Sequence, residues 1–266
     1  MSPSTMKTIV LQANRALLGV LCAAVVTLPA PAPAIAAERV RGIDVSRFQG
    51  RINWEQVATD DVNFAFVQAS RGSGSDCTVV ADRCGPDEFY ERNYTRARKE
   101  GIPVGPYHRT FAGGEGPTGV RADARKEANV FLERVGELRP GDLRPVLDME
   151  SPFNDLGEAD LRRWIRTWLV KVEKELGVQP LIYTNVSSWN ATGNTTRFAA
   201  QGYVLWVANF DVAKPLVPAA NWNGVGWSIW QYTSSGQVDG ISGNVDLDYA
   251  RVPLDSLTVG GVASPR

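Results

Sequence analysis

The sequence has few cysteines and almost no histidine, and this scarcity excludes several kinds of catalytic site. Its 266 residues include three cysteines and a single histidine, His108. A zinc site built from Cys and His ligands needs more of these residues than the chain supplies. A Ser-His-Asp or Cys-His nucleophile would have to use His108, and there is no Gly-x-Ser-x-Gly elbow. We therefore expect no metal centre and no serine or cysteine hydrolase.

The sequence also has nearly equal numbers of basic and acidic residues, 28 and 29. The net charge is −1, and it becomes −3 when Lys7 and Arg15 are removed with the predicted leader described below. This near-neutral balance gives no reason to expect nucleic acid or an acidic membrane as a partner. Gly-rich phosphate-binding loops are absent from the sequence as well, so we expect no nucleotide cofactor.

Residues 1–37 contain no acidic residue and have the pattern of a secretory signal peptide. The basic residues Lys7 and Arg15 come first, and the apolar run Ala16–Leu28 follows them. Ala34-Ile35-Ala36 then has the small-x-small form of a cleavage site. The apolar run is short for a membrane span, and no later segment resembles one. We predict a secreted chain that has no membrane contact after cleavage.

Two cysteines, Cys77 and Cys84, remain beyond the leader. In an exported chain, two cysteines this close in sequence are expected to form a disulfide. The chain-entropy relation gives such a short loop about 2.5 kcal/mol of stabilisation.

Short apolar runs then alternate with helical stretches, as is typical of an α/β barrel. Eight strands are predicted at Gly42–Ser46, Phe64–Ser70, Pro103–His108, Arg144–Glu150, Leu181–Thr184, Tyr203–Ala208, Ser228–Tyr232 and Asn244–Leu247. Helices are predicted near Phe89–Glu100, Val120–Val135 and Glu158–Leu176, whereas the helical signal is weak from Asn185 to Gln201 and absent from Phe210 to Gly226. The prediction is a barrel domain over residues 38–251 with some late helices reduced or missing, followed by a short tail, residues 252–266.

The stretch Arg144–Glu150 ends in two acids that carry the functional hypothesis. Asp148 and Glu150 are two residues apart, so a strand places both on one face and Met149 on the other. Two carboxyl groups held close at the end of an apolar strand favour the retention of a proton by one of them, as a general acid requires. Taken alone, the stretch is equally compatible with a strand that exits into solvent with two surface acids.

Other acids and aromatic residues occupy the predicted strand ends. They are Asp44, Tyr107, Tyr183, Trp206, Trp230, Tyr232, Asp246 and Asp248. The carboxyl ends of barrel strands meet at the rim where active sites lie. Carboxylates surrounded by aromatic rings suit the hydrolysis of sugar polymers. Two alternatives are that each aromatic ring packs the core, or that the acids bind calcium or magnesium, although EF-hand spacing is absent.

An ordered set of motifs extends over about Arg41–Tyr249. The motifs are Gly42-Ile43-Asp44-Val45-Ser46, Phe48-Gln49-Gly50, Gly105-Pro106-Tyr107-His108, Leu147-Asp148-Met149-Glu150, Pro180-Leu181-Ile182-Tyr183-Thr184, Leu205-Trp206-Val207-Ala208, Trp230-Gln231-Tyr232 and Val245-Asp246-Leu247. Together they resemble the glycoside hydrolase family 25 lysozymes, the Ch-type muramidases.

The resemblance implies an irregular (β/α)8, TIM-like barrel that hydrolyses the β-1,4 bond between N-acetylmuramic acid and N-acetylglucosamine in peptidoglycan without a cofactor. By this analogy Glu150 is the general acid/base, and Asp148 tunes it or orients the acetamido group of the substrate. Asp44 and Asp246 complete an acidic floor. The expected sugar-binding residues are Tyr107, Tyr183, Trp206, Trp230 and Tyr232. We expect a monomer whose partner is the peptidoglycan glycan strand.

The sequence departs from the family pattern at two positions beside these motifs. Arg71 stands where members commonly have an acid, and Arg109 stands where phenylalanine is common. The alternatives are a catalytically weak peptidoglycan-binding barrel and a hydrolase of another N-acetylated polysaccharide such as chitin. The stereochemical course also stays open among retaining, substrate-assisted and inverting routes.

Overall fold

The computed structural model describes residues 40–74 and 84–261. Its strands are β1 (Val40–Val45), β2 (Phe64–Arg71), β3 (Gly85–Pro86), β4 (Val104–Arg109), β5 (Val146–Met149), β6 (Leu181–Thr184), β7 (Leu205–Ala208), β8 (Ile229–Gly236) and β9 (Val245–Ala250). Its helices are α1 (Trp54–Val57), α2 (Tyr90–Lys99), α3 (Gly116–Val135), α4 (Glu158–Leu176), α5 (Val186–Asn190) and α6 (Arg197–Ala200).

Eight of these strands close into a barrel. The strand order is β1-β9-β8-β7-β6-β5-β4-β2, and a parallel pairing of β1 with β2 closes the ring. The two-residue strand β3 lies outside the ring and pairs antiparallel with the end of β2. The predicted α/β barrel is confirmed.

Strand β9 runs against both of its neighbours, whereas the other seven barrel strands are parallel to one another. A parallel neighbour requires a crossover connection of a dozen or more residues, usually with a helix. Only residues 237–244 separate β8 from β9, so the chain returns as a hairpin. The expectation that every strand contributes its carboxyl end to one rim is corrected for β9, which contributes its amino end.

The sheet separates two apolar layers because successive side chains of a strand point to opposite faces. The inner layer fills the barrel and includes Phe64, Phe66, Val146, Leu181 and Ile229. The outer layer lies between the sheet and the helices, and helix α4 contributes Leu161, Trp164, Ile165, Trp168, Leu169 and Val172 to it. These α4 residues recur at helical spacing, so the predicted amphipathic helix packs as expected.

The late helices are short, as predicted. Helices α5 and α6 have five and four residues. Between β7 and β8, one turn at Pro218–Asn223 has left-handed dihedrals, with φ between 51° and 58° at residues 219–222. A right-handed helix is therefore absent from this described connection.

The start of the predicted tail is part of the barrel structure. Leu257 is buried in the inner layer, and its carbonyl accepts a hydrogen bond from the backbone N–H of Arg144. The residues up to Gly261 therefore cover the end of the barrel opposite the carboxyl ends of its parallel strands.

Two sequence predictions fall on residues outside the described ranges. The leader, residues 1–37, and Cys77 lie there, so the signal peptide and the Cys77–Cys84 disulfide stay predictions. Within the described residues, no helix is both long enough and apolar enough to span a bilayer.

Gly42 provides a test of the packing inside the barrel. A Cβ atom at this position would lie 2.3 Å from the Phe64 ring, whereas a Cβ at Gly157 would meet nothing within 4 Å. Because Phe64 is fully buried, we expect Gly42→Ala to lower the free energy of unfolding by about 1–3 kcal/mol. Urea unfolding of both variants tests this. Gly157→Ala is the control; because Gly157 is the N-cap of α4, it should cost at most about 1 kcal/mol. An equal effect of the two substitutions would contradict the clash.

Candidate active site

A cleft of about 290 Å³ opens at the rim where the parallel strands end. It is lined by seven of the residues that the sequence predicted for the site: Asp44, Tyr107, Asp148, Glu150, Tyr183, Trp206 and Asp246. The β1–β9 pairing places Asp44 directly opposite Asp246. The hairpin return of β9 is therefore the reason that an acid near the start of the last strand reaches this rim.

Asp148 and Glu150 both face the cleft, and Met149 packs on the other side in the outer apolar layer. This agrees with the two-residue repeat of a strand. The two acids differ in exposure, because the side chain of Glu150 is 31% exposed and that of Asp148 is 9% exposed. Glu150 is thus the one that substrate and water reach more easily.

Arg109 binds the backbone that follows β5 and places a positive charge beside Asp148 and Glu150. Its Nη1 donates a hydrogen bond to the Glu150 carbonyl at 2.8 Å, and its Nη2 donates one to the Ser151 carbonyl at 2.9 Å. Its Nε lies 3.8 Å from Asp148 Oδ2 and 3.6 Å from Glu150 Oε2. These contacts fix the backbone that carries Glu150 and supply one positive charge to the pair.

Burial raises the pKa of Asp148 well above its usual range, and the charge of Glu150 raises it further. The charges of Arg109 and Arg71 oppose this rise. Asp148 Oδ1 is buried, and no hydrogen-bond partner for it is found among the described residues. Burial and the charge of Glu150 therefore favour the neutral form of Asp148, whereas the two arginines favour its carboxylate.

A chain of hydrogen bonds crosses the cleft below Glu150. The hydroxyl of Tyr183 lies 2.7 Å from Gln231 Oε1 and 3.3 Å from Glu150 Oε1. Gln231 Nε2 donates a hydrogen bond to Asp44 Oδ2 at 2.7 Å. Asn185 Nδ2 also donates one to Glu150 Oε1, at 3.4 Å. Glu150 and Asp44 are therefore connected through one tyrosine and one glutamine.

Asp44 and Asp246 form the acidic floor of the site, and the fully buried Asp248 acts on Asp44 electrostatically. Burial raises the pKa of Asp44 well above its usual range, and the charges of Asp246 and Asp248 add to this. Burial and the charge of Glu150 raise the pKa of Asp246 to about 6. Burial also raises the pKa of Asp248, although Trp206 Nε1 donates a hydrogen bond to it at 2.8 Å. The floor thus concentrates acidic groups that favour a proton or a nearby positive charge.

The predicted aromatic residues divide into two groups. Tyr107, Tyr183 and Trp206 line the cleft but are 8%, 6% and 2% exposed. The ring of Trp206 is stacked on Phe66 at 4.6 Å and meets Tyr183 edge-on at 4.6 Å. Its faces are covered by protein, so Trp206 supports the floor and offers no open face for stacking on a sugar.

The placement of Trp230 and Tyr232 is a correction to the sequence analysis. Neither residue lines the cleft: Trp230 lies in the outer layer and donates a hydrogen bond to the Asn209 carbonyl, and Tyr232 stacks on Tyr249 at 4.3 Å. The physical reason is the alternation of β8, since Gln231 between them faces the cleft.

Several cleft residues were missed by the sequence analysis. Phe48 and Phe210, which are 63% and 39% exposed, lie on the cleft and offer aromatic surface for a sugar ring. Gln231 and Asn185 contact the predicted acids directly. Phe48 and Gln231 belong to recognised motifs, whereas Phe210 and Asn185 each follow the last residues of a strand.

His108 is in a buried polar chain away from solvent. Its Nδ1 lies 2.8 Å from Ser70 Oγ, and its Nε2 lies 2.7 Å from Glu127 Oε2. All three residues are at most 1% exposed, and burial lowers the pKa of His108 to about 3. Glu127 also accepts a hydrogen bond from the Phe111 backbone N–H. Ser70, His108 and Glu127 have the order of a catalytic triad but are buried. Their hydrogen bonds hold the loop that follows β4.

The acids of the cleft do not form a metal cage. Among the described residues, no group of three or more His, Cys, Asp or Glu side chains has the arrangement needed to hold a metal ion.

Comparisons with known proteins agree with this geometry. Residues 43–241 match the family model described as glycosyl hydrolases family 25. The chain is 32% identical over 227 residues to the uncharacterized protein YegX of Escherichia coli K12, covering 84% of this chain and 73% of that protein. It is 33% identical over 214 residues to lysozyme M1 of Streptomyces globisporus, with coverages of 78% and 66%. The crystal structure of a bacterial lysozyme from Streptomyces coelicolor superimposes with a TM-score of 0.70 at 30% identity, covering 83% and 95% of the two chains.

The pKa of Asp246 gives a test of its electrostatic environment. A carboxyl group whose pKa rises from 3.8 to about 6 on folding binds its proton more tightly in the folded state. It therefore stabilises the fold below pH 4 and loses that contribution as pH rises through 6, by about 3 kcal/mol in total. Between pH 4 and pH 7.5, we expect the stability of Asp246→Asn relative to wild type to increase by up to this amount.

Urea unfolding at a series of pH values measures the effect. Asp255→Asn is the matched control, because Asp255 is exposed and lies outside the cleft. Its stability relative to wild type should change little with pH. A difference between wild type and Asp246→Asn that is the same at pH 4 and pH 7.5 would contradict the assigned environment.

Proposed function

The chain belongs to glycosyl hydrolases family 25, and from this membership we propose that it is a secreted muramidase that hydrolyses the β-1,4 bond between N-acetylmuramic acid and N-acetylglucosamine in peptidoglycan. The observation that carries the proposal is the Asp148–Glu150 pair at the open rim, next to the acidic floor of Asp44 and Asp246. The leader pattern of residues 1–37 supports export, and the names of the related lysozymes support the substrate class.

Glu150 is the proposed general acid/base. The Tyr183 hydroxyl has one proton, and its shorter contact is with Gln231 Oε1, whose amide is already oriented by Asp44. The same hydroxyl lies 3.3 Å from Glu150 Oε1, and together with Asn185 Nδ2 at 3.4 Å it positions the side chain whose proton the reaction uses. When Glu150 gives this proton to the leaving oxygen, the nearby Arg109 Nε stabilises the carboxylate that remains.

Asp148 is the proposed partner of the substrate's acetamido group. Its carboxyl group is nearly buried, lies two residues before Glu150 in sequence and faces the same cleft. In a substrate-assisted route, the acetamido oxygen attacks the anomeric carbon while Glu150 protonates the departing oxygen. In the carboxylate form that Arg109 and Arg71 favour, Asp148 accepts a hydrogen bond from the acetamido N–H and stabilises the positive charge that develops there. Glu150 then deprotonates the attacking water.

Asp44 and Asp246 supply negative potential below the reacting sugar. Their raised pKa values follow from burial and from the repulsion among the acids. A positive charge that develops on the sugar ring relieves this repulsion, so the floor stabilises the transition state more than the neutral ground state. The exposed rings of Phe48 and Phe210 provide the proposed surfaces for neighbouring sugars.

Replacement of Glu150 tests the proposal most directly. General acid–base catalysis typically contributes 10²- to 10⁴-fold to a rate, so we expect Glu150→Gln to reduce the turnover of purified cell wall by about that factor. The measurement is the clearing of a cell-wall suspension with the release of reducing ends. Glu137→Gln, at an exposed position outside the cleft, is the matched control and should retain the wild-type rate.

The same assay separates the hydrolase from a binding protein. A wild-type protein that sediments with insoluble cell wall and releases no reducing ends would identify a wall-binding barrel. A Glu150→Gln variant that hydrolyses at the wild-type rate would exclude Glu150 as the proton donor.

The first anomer of the product tests the substrate-assisted route. Attack by the acetamido group followed by water places two inversions at one carbon, so we expect the β-anomer to form first. Proton NMR during the first minutes of hydrolysis measures it, with spontaneous mutarotation of the free sugar as the reference. Initial α-anomer would contradict assistance. Equal rates on chitin oligosaccharides and on peptidoglycan glycan strands would point to a broader N-acetylated substrate class.

A further inference from the structure

We propose that Arg71 binds the free lactyl carboxylate of N-acetylmuramic acid, so that the protein prefers glycan strands from which the stem peptide has been removed. This inference rests on the proposed function, because it names the form of the glycan that the cleft selects. It concerns a residue that takes no part in the proton transfers proposed for Glu150.

Arg71 is in the same row as the proposed catalytic acid pair. It is the last residue of β2, and the strand register places it beside Arg109, which in turn lies beside Asp148. Neighbouring strands are about 4.8 Å apart, so Arg71 begins roughly 10 Å from Asp148 along this row. Arg71 lines the same cleft as Asp148 and Glu150.

Arg71 forms no ion pair within 4 Å among the described residues, in contrast to its neighbours, although the charge of Asp148 acts on it at longer range. Arg109 lies beside Asp148 and Glu150, and Arg47 lies 3.6 Å from Asp87. The Nε of Arg71 is buried without an acceptor from the described part of the chain. A half-buried guanidinium beside two other arginines costs free energy, and an anion that enters the cleft would reduce that cost.

Phe111 holds the Arg71 side chain against the cleft wall. The guanidinium carbon of Arg71 lies 5.0 Å from the centre of the Phe111 ring, and that of Arg109 lies 5.3 Å from it. Phe111 is itself fixed, because its backbone N–H donates to Glu127 at 3.2 Å. An arginine that lies against a ring face and lines the cleft is placed to form charge-assisted hydrogen bonds to a carboxylate that enters it.

The chemistry of the sugar places such a carboxylate close to Arg71. N-acetylmuramic acid carries its acetamido group on C2 and its lactyl ether on the adjacent carbon, C3. If Asp148 binds the acetamido group, the lactyl group leaves the ring at the next carbon, within reach of the cation that continues the same row. The acid that the family commonly has at position 71 would repel this carboxylate.

The state of the lactyl group decides whether Arg71 gains an ion pair. In glycan that bears stem peptides, the lactyl carboxyl group is an amide and carries no charge. Hydrolysis of that amide bond releases the peptide and leaves the carboxylate. The preferred substrate is therefore the product of an amide-bond hydrolysis, which places this reaction after the removal of the stem peptide.

The test compares three forms of one glycan preparation: peptide-free strands, the same strands with lactyl carboxylates converted to methyl amides, and strands that carry the stem peptide. Charge-assisted hydrogen bonds contribute enough to predict that wild type has a kcat/KM about 10- to 100-fold higher on the peptide-free strands. The difference should lie mainly in KM, since Arg71 contacts a group that does not react.

Variants of Arg71 assign the preference to this side chain. Arg71→Gln should hydrolyse all three forms with a kcat/KM within about threefold, Arg71→Lys should restore part of the preference, and Arg71→Glu should favour the methyl amide. Arg96→Gln, an exposed arginine of α2 outside the cleft, is the control and should keep the wild-type preference. A preference that persists in Arg71→Gln overturns the inference, as does a wild type that prefers the stem-bearing strands.

A binding measurement separates this inference from the proposed function. NMR titration with N-acetylmuramic acid and with its methyl amide should show tighter binding of the acid to wild type and equal binding to Arg71→Gln. Selective binding without hydrolysis of any strand would remove the proposed function and keep Arg71 as a carboxylate site. Hydrolysis of peptide-free strands without any selectivity would keep the proposed function and remove the role of Arg71.

Discussion

The antiparallel pairing of β9 with β1 is the constraint on which the cleft depends. It joins the last strand of the barrel to the first, and it places Asp246 opposite Asp44 at the open rim. Had β9 returned through a helix in parallel, its first residues would lie at the opposite end of the barrel, far from Glu150. The hairpin of residues 237–244 therefore determines both the closure of the fold and the composition of its acidic floor.

The closed barrel brings several carboxyl groups together. Nearby cations and hydrogen-bond donors offset the repulsion among these groups to different degrees. Arg109 lies between β2 and β5 in the sheet and faces both Asp148 and Glu150, while hydrogen bonds from Gln231 and Trp206 reach Asp44 and Asp248. The floor keeps raised pKa values in spite of these contacts. A cluster of this kind is costly for stability, and under the proposed mechanism that cost has a function, because the reaction would create positive charge above it.

Much of this arrangement could be predicted from residue patterns, and the failures have physical causes. The alternation of Asp148, Met149 and Glu150 correctly gave a shared face for the acids, since a strand repeats every two residues. The same rule leaves open which face of β8 turns inward, and Trp230 and Tyr232 proved to flank the inward Gln231. The short connection before β9 favours an antiparallel strand, whereas the analogy with a regular (β/α)8 barrel favours a parallel one.

The row of Arg71, Arg109 and Asp148 was beyond sequence reasoning because it depends on register across three strands. The pairing of β2 with β4 shifts by one residue between Gln68 and Ser70, and this irregularity brings Arg71 level with Arg109. Without the shift, the two side chains would be out of step and would not share the Phe111 ring. The bulge in β2 thus brings together Arg71 and Arg109, the two residues that depart from the family pattern. They form one positively charged wall of the cleft, opposite in charge to the floor. Under the proposed function, the acids of the cleft would act at the reacting carbon and the cations would bind a neighbouring substituent, so that the cleft selects the form of the sugar as well as cleaving its bond.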